Sequence, residues 1–190
     1  GYYQQSGAYG FRDQLQDSQV WLTIEPERCR EQLRLHAGHQ FADGSVVHWW
    51  HPLTEQGHVT RMTDDLLWLA LVTINYLKET GDFTVLDDRA PFLDEPEPAT
   101  IWEHVKRAFS RVFARHSERG LPLIGAGDWN DGLSALGLEE RGESIWLGHF
   151  LVGLLADWAV VASRRGERGI ADEFATRRAK LIAAIEEHGW

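Results

Sequence analysis

The sequence contains a single cysteine, Cys29, in 190 residues. One cysteine cannot form an internal disulfide, and it cannot supply the several thiolates of a structural zinc cage. Cys29 lies within a helical pattern, so we interpret it as inert packing. A chain without disulfides is typical of the cytoplasm, and the sequence therefore predicts a cytoplasmic protein.

Basic residues are also scarce: 19 Lys and Arg stand against 29 Asp and Glu, which gives a net charge of −10. Nucleic acids and anionic membrane surfaces are bound through basic patches, so we expect neither as a partner. No uninterrupted run of about 18 apolar residues is present, as a membrane-spanning helix would require. The first residues also lack the basic and apolar regions of a signal peptide. We therefore expect no membrane contact from this segment.

Methionine occurs once, at Met62, so residue 1 is not an initiator. The chain begins directly with aromatic residues, and residues 186–190 resemble the end of a helix. We expect a fragment or processed product of a longer chain, or a piece trimmed to a domain edge.

Tryptophan, by contrast, is abundant: nine Trp accompany eight Phe and four Tyr. Trp faces stack on the C–H faces of sugar rings, which is why carbohydrate-binding proteins often use them. A helical core rich in Trp would give the same composition. Composition alone leaves both interpretations open.

Apolar residues recur at helical spacing along most of the chain and predict about six helices. These cover residues 13–22, 26–39, 64–80, 101–118, 144–164 and 168–188, with Thr63 as a cap and Gly81 as a stop. Residues 41–61 contain a turn and an extended segment, 82–99 are irregular, and 121–142 form a long loop. The helix at 64–80 is apolar nearly all round, whereas 101–118 carries a charged face. This contrast predicts an all-α fold with inner and outer helices, a two-layer toroid whose long loops surround a pocket.

The first candidate site is Gly-Ala-Tyr-Gly-Phe-Arg-Asp-Gln-Leu-Gln-Asp at 7–17. It places Arg12, Asp13 and Asp17 beside two glutamines after an aromatic entry. A guanidinium and nearby carboxylates suit a pyranose, since each hydroxyl needs a donor and an acceptor. On a helix, Asp13 shares a face with Gln16 or Asp17. The alternative is an ordinary helix start with acids favoured by the dipole.

The second candidate is Gly-Asp-Trp-Asn-Asp-Gly at 127–132. A carboxylic acid beside a large apolar ring is partly desolvated, and this raises its pKa and keeps it protonated near neutral pH. A glycosidase-type general acid needs that property. An Asx-turn loop or an oxygen-rich calcium site remains possible, although the order of acids does not match an EF-hand.

Three weaker candidates complete the set. Asp64, Asp65 and Arg61 stand at the start of an enclosed helix, where acids are ordinary. His-Trp-Trp-His at 48–51, with His58, could face sugar or fill the core, but it lacks the spacing of a known metal site, and no metal is expected. Residues 142–144 could line a pocket, although a helix cap is the better interpretation. The chain contains no nucleophile elbow, phosphate-binding loop or dinucleotide fingerprint.

Taken together, these motifs resemble glycoside hydrolase family 94. The resemblance is carried in order by residues 7–17, His-Trp-Trp at 48–50, Thr-Arg-Met-Thr-Asp-Asp-Leu-Leu-Trp-Leu at 60–69, the 127–132 motif and Gly-Glu-Ser-Ile-Trp-Leu at 142–147. That family includes cellobiose, cellobionic acid and β-1,2-oligoglucan phosphorylases, and the C-terminal domain of cyclic β-1,2-glucan synthase. The matches extend over about three quarters of the chain.

The resemblance implies an (α/α)6 barrel and inverting phosphorolysis of a β-glucosidic bond to α-glucose 1-phosphate. Phosphate is the nucleophile, so one acid suffices and no cofactor is needed. The family pattern makes Asp131 the proton donor and Trp129 a sugar contact. It makes Arg12 and Asp17 the residues that hold the glucosyl unit. Asp13 and Asp65 stand at family-like positions, and we expect them to bind substrate.

The resemblance also implies that residues 1–190 are the N-terminal portion of the barrel. The remainder of the barrel, the phosphate-holding residues and an N-terminal β-sandwich would lie outside them, so we expect these residues alone to be inactive. A homodimer is expected for the whole protein. A non-catalytic carbohydrate-binding domain and an inverting hydrolase are the alternatives. The hydrolase would need a second carboxylate roughly 6.5–9.5 Å from the acid. The residues of these motifs slightly favour a phosphorylase of the cellobionic acid or β-1,2-glucan type.

Overall fold

The computed structural model describes residues 7–59 and 61–190. Its contacts divide the chain into two compact units, Gly1–Arg111 and Val112–Trp190. Three helices pack against one another in the first unit: α1 (Phe11–Ser18), α2 (Pro26–Ala37) and α3 (Asp65–Thr80). A fourth helix, α4 (Ile101–Phe113), closes this unit and ends two residues into the next. Helix α5 (Ile145–Arg164) and helix α6 (Arg168–His188) belong to the second unit.

The ends of these helices follow local chemistry, with some differences from the sequence prediction. Pro26 opens α2, where its missing N–H costs nothing, and Gly81 ends α3 with a φ of 67°. Both were predicted and are confirmed. The predicted cap at Thr63 is wrong: Asp64 directly precedes α3, and its side chain makes no capping bond. The Asp64 carboxylate is instead drawn to an arginine of α1, as described below.

A small antiparallel sheet joins the helices of the first unit. It consists of β1 (Tyr9–Gly10), β2 (Val47–His51) and β3 (Gln56–Val59), with Tyr9 opposite Trp50 and an irregularity between Val47 and Trp49. A second pair is formed by β4 (Arg89–Ala90) and β5 (Ala99–Thr100). The chain is therefore mostly helical with small sheets, and all-α was too simple a description. Helical periodicity cannot reveal strands of two residues.

The core of the first unit is built around Trp50, which is 1% exposed. The ring of His39 stacks on it at 3.9 Å, and the edge of His36 meets it at 5.3 Å between ring centroids. Burial lowers the pKa of His36 to about 3, so this imidazole is neutral and its Nδ1–H donates to the Gln32 carbonyl at 2.8 Å. Several of the tryptophans are thus core residues: Trp50, Trp68, Trp102 and Trp158.

The acidic stretch 82–99 is irregular, as predicted, but a 3₁₀ turn at Phe83–Asp87 orders its beginning. Arg30 of α2 donates to both oxygens of Asp88, at 2.6 and 2.5 Å. This bidentate bond lowers the pKa of the Asp88 carboxyl and fixes the stretch against α2.

The second unit is a pair of helices with a long loop in front of it. Only three residues connect α5 to α6, and Gly166 takes a φ of 79° within them. So short a connection makes the two helices antiparallel neighbours. Their shared core is apolar and includes Leu151, Leu155, Trp158, Phe174, Leu181 and Ile185. Helix α4 ends at Phe113, earlier than the predicted 118, because the chain turns there and His116 bridges to Pro122.

Helix α5 is more apolar than the sequence analysis recognised. Among the described residues it is the one helix long and apolar enough to cross a membrane by length and composition, and 44% of its apolar 18-residue stretch is buried inside the structure. The core helix of a globular protein passes the same test, and α5 packs along α6. Its apolar content went unrecognised because His149 and Asp157 interrupt the run.

Candidate functional site

Arg12 forms a buried ion pair with Asp64 in the first unit. Arg12 is the second residue of α1, and its Nη1 donates to Asp64 Oδ2 at 3.1 Å. The same oxygen accepts a bond from Trp68 Nε1 at 2.9 Å, one turn along α3. Arg12 is 7% exposed and Asp64 is fully buried. The structure therefore brings together two motifs that lie 52 residues apart in the sequence.

Asp65 is also fully buried, and its partner comes from the sheet. Its Oδ2 meets His48 Nδ1 at 2.7 Å, whereas Oδ1 has no hydrogen-bond partner in the described part of the chain. Burial is the main cause that raises the pKa of Asp65 to about 6, and neighbouring Asp64 adds to it, while His48 and Arg12 oppose it. Substrate binding by Asp65 stays a prediction, and its side chain has no exposed surface in the described part of the chain.

Asp13 and Asp17 differ in their surroundings although both lie on α1. The Asp13 carboxylate lies over Gly10, so a Cβ at position 10 would require the Asp13 side chain to move. Asp17 is exposed and lines an open cavity of about 420 Å³ in the first unit. The other residues around this cavity include Tyr9, Gln14, Trp21, Arg28 and Gln32. Asp17 is thus accessible to a small molecule, and Arg12 is much less so.

The two aspartates of the 127–132 motif also have different environments. Asp128 is 2% exposed and accepts from the Asn130 backbone N–H at 2.8 Å and from Ser144 Oγ at 2.5 Å. The Ser144 hydroxyl accepts in turn from the Leu147 N–H at 2.9 Å, which caps α5 as predicted. Asp128 therefore joins the loop to the start of a helix, a role that the sequence did not reveal.

Asp131 begins a 3₁₀ turn, Asp131–Gly137, and is exposed. Trp129 is 49% exposed and faces Trp146, with ring centroids 6.4 Å apart and planes at 26°. The desolvated acid expected from the sequence is therefore not present at Asp131 in these residues. The carboxylate that is buried is Asp128, because the Ser144 hydroxyl and the loop backbone draw it inward.

Glycines fix the path of this loop. A Cβ on Gly137 would overlap the backbone of Gly125, and one on Gly142 would overlap the carbonyl of Leu136. Gly125 itself has a φ of 61°. The backbone of the loop is thus closely packed at Gly125, Gly137 and Gly142, whereas the side chains of Leu133, Leu136 and Leu138 are exposed. Repeated glycines were the only sequence signal for this packing.

Two of the histidines considered for a metal site pack against Trp49. His51 meets Trp49 edge-on at 5.6 Å, and His58 stacks on Trp49 at 5.7 Å. Within residues 7–59 and 61–190, no group of three His, Cys, Asp or Glu is placed to hold a metal ion.

Comparison with known proteins gives consistent matches. Residues 1–190 match the glycosyl hydrolase 94 superfamily, catalytic domain. The cyclic β-(1,2)-glucan synthase NdvB of Rhizobium meliloti (strain 1021) is 36% identical over all of this chain and 7% of that protein. The solabiose phosphorylase of Paenibacillus borealis is 35% identical over 95% of this chain and 23% of its own length. The chain thus spans less than a quarter of either relative.

A solved structure shares the fold at lower sequence identity. The rhamnosidase from Klebsiella oxytoca with rhamnose bound superposes with a TM-score of 0.70 at 18% identity. The match covers 97% of this chain and 33% of the rhamnosidase chain. At this identity the likeness concerns the fold alone.

Proposed function

Since this chain belongs to the glycosyl hydrolase 94 superfamily, catalytic domain, we propose that the whole protein is an inverting glycoside phosphorylase. It cleaves a β-linked glucosyl di- or oligosaccharide with inorganic phosphate and releases α-glucose 1-phosphate and a shortened acceptor. Phosphate is a co-substrate, and the reaction needs no cofactor. In this proposal residues 1–190 are part of an (α/α)6 barrel, which their mostly helical architecture supports.

The observation that carries the proposal is the contrast between Asp128 and Asp131. Asp128 accepts hydrogen bonds from Ser144 and Asn130 and has almost no exposed surface. Asp131 lies two residues beyond Trp129 and is exposed, so a substrate can reach it. A proton donor must come within hydrogen-bond reach of the leaving oxygen. Asp131 is therefore the better candidate for the general acid of this motif.

The proposed reaction needs one proton transfer. Asp131 protonates the glycosidic oxygen while a phosphate oxygen attacks the anomeric carbon from the opposite face. The bond to the acceptor breaks, and the configuration at that carbon inverts. Because phosphate is already an anion, no second carboxylate is required to activate a nucleophile, in contrast to an inverting hydrolase. Binding of the saccharide supplies the desolvation that Asp131 lacks in these residues.

Sugar recognition is proposed for the residues of α1 and for Trp129. Asp17 is accessible at its cavity and accepts hydroxyl protons, and Arg12 is held by Asp64 so that its position is fixed. In this proposal Asp13, at the start of the same helix, also binds the sugar. Trp129 exposes half of its surface, which suits stacking on a sugar ring. Asp65 contributes indirectly, because it is buried.

The proposed substrate class is a β-1,2-linked glucosyl saccharide. NdvB, the relative with 36% identity, is a cyclic β-(1,2)-glucan synthase by name, and this favours that linkage over cellobionic acid. We further propose a cytoplasmic homodimer for the whole protein.

Phosphate release tests the proposal. The full-length protein is incubated with α-glucose 1-phosphate and, in parallel, with glucose, sophorose, cellobiose and gluconate as acceptors. We expect inorganic phosphate to accumulate with sophorose, because synthesis is the reverse of phosphorolysis. Absence of phosphate release with every acceptor would refute the phosphorylase assignment. Release with gluconate alone, which would form cellobionic acid, would keep the activity and overturn the proposed linkage.

A further inference from the structure

The buried start of α3 carries two carboxylates with separate partners. Asp64, which directly precedes α3, is bonded to Arg12 of α1 and to Trp68 of α3, and Asp65 is bonded to His48 of β2. Neither aspartate has exposed surface. About a quarter of the His48 side chain is exposed, at 25%. His48 is therefore the partly exposed member of this cluster, and it connects the buried Asp65 to the protein surface.

The charges of the cluster favour a state in which Asp65 and His48 share one proton, in the hydrogen bond that joins them. Arg12 is bonded to Asp64, so a second buried anion at Asp65 needs compensation of its own. Asp65 Oδ1 has no partner in the described residues, which adds to the cost of the ionised form. The charged and titratable groups that act on Asp65 are Asp64 just before α3, His48 of β2 and Arg12 of α1. A hydrogen bond from His48 Nδ1–H to Asp65 Oδ2 lowers this cost.

We propose that Asp65 is a positioning residue that fixes the ring and tautomer of His48, and that His48 is a further substrate-binding residue for a hydroxyl of the glucosyl unit. This inference rests on the proposed function. Asp65 accepts from Nδ1–H, as second partners of functional histidines commonly do. A fixed tautomer decides which hydrogen-bonding role the rest of the imidazole offers to a sugar hydroxyl. The cluster thereby connects two motifs, at 48–50 and 60–69, to the α1 motif that carries Arg12.

Steady-state kinetics of the full-length protein test this inference. His48→Asn and Asp65→Asn are compared with wild type in the synthesis direction, with α-glucose 1-phosphate varied at saturating acceptor. We expect each variant to lower kcat/KM roughly tenfold to a hundredfold, as loss of one well-placed hydrogen bond to substrate does. The double variant should be no worse than His48→Asn alone, because Asp65 acts through His48. The matched control is His58→Asn, since His58 is an exposed histidine on the neighbouring strand.

The pH profile supplies a readout that a merely structural role would not change. The pKa of Asp65 is raised to about 6, so its carboxylate is protonated as the pH falls through this value and holds His48 less firmly. We expect wild-type kcat/KM to decline below about pH 6 and Asp65→Asn to lack this limb. Hydrogen exchange of α3 peptides confirms that each variant is folded.

The outcomes separate the two proposals. If wild type is active and both His48→Asn and Asp65→Asn match His58→Asn in kcat/KM and pH profile, His48 has no binding role and only this inference fails. If both variants lose activity but their losses add in the double variant, Asp65 does not act through His48, and the inference is overturned. If wild type releases no phosphate with any acceptor, the proposed function fails, and this inference fails with it.

Discussion

The cluster at the start of α3 and the loop that carries Asp131 differ in how their polar groups are held. Arg12, Asp64 and Asp65 are almost completely buried, and each has a bond to another element. In the loop, Asp128 alone is buried in this way, whereas Trp129 and Asp131 are exposed. Groups that fix geometry are thus enclosed, and the group proposed to transfer a proton remains accessible. Substitutions in the two regions should therefore affect different properties.

The largest expected effect is on catalysis by Asp131→Asn. The amide keeps the shape of the side chain but cannot donate the acid proton, so turnover by the full-length protein should fall about a thousandfold. Because Asp131 is exposed, hydrogen exchange of the loop should stay as in wild type. Phosphate release and exchange mass spectrometry give the two measurements. Turnover within tenfold of wild type would remove Asp131 from the acid role. If the wild-type protein turns over no substrate and Asp131→Asn keeps its sugar affinity, the protein is a binding module.

The next effect concerns stability in the first unit. Arg12→Met leaves Asp64 buried without its cation, and breaking such a pair costs about 3–5 kcal/mol. The matched control is Arg111→Met, because Arg111 pairs with Asp43 at 3.3 Å with both side chains well exposed, and such pairs contribute about 0–1 kcal/mol. Exchange of α3 amides reports the local opening free energy. Equal effects of the two substitutions would show that burial does not strengthen the Arg12 pair.

The smallest of these effects is expected at the boundary between the loop and α5. Ser144→Ala removes the cap of α5 and the donor to Asp128 together, which should destabilise the loop by about 1–2 kcal/mol. Ser163→Ala, at an exposed position in the last turn of α5, is the control. Local hydrogen exchange is again the measurement. If the loop exchanges as slowly as in wild type, Asp128 is held by the backbone alone.

Much of the helical fold was predictable from local patterns. Pro26 and Gly81 mark helix ends through their own backbone preferences, and Thr100 accepts from the Glu103 N–H at 3.1 Å, which is the bond that a Thr three residues before a Glu makes at a helix start. The strands β1 and β4 were not predicted, because two residues leave no periodic signal and their pairing depends on distant partners.

The candidate site residues were easier to select from the sequence than their environments were to predict. Ser144 was predicted as a cap. Its bond to Asp128, however, joins residues 16 positions apart, and no local pattern encodes such a contact. The expected desolvation of Asp131 assumed that Trp129, two residues away, would pack on it, whereas that ring faces Trp146. In the same way, the bond between His48 and Asp65 follows from tertiary packing over 17 residues.

The glycines of the 125–142 loop have a consequence for redesign of specificity. Gly125 requires a left-handed backbone, and Gly137 and Gly142 admit no side chain. A library that varies this loop to accept new sugars should keep these three positions constant, since any replacement moves the backbone that carries Asp131. Three leucines of the loop have exposed side chains and room for replacements: Leu133, Leu136 and Leu138. Selection at these three leucines would then alter what the loop contacts while its framework stays in place.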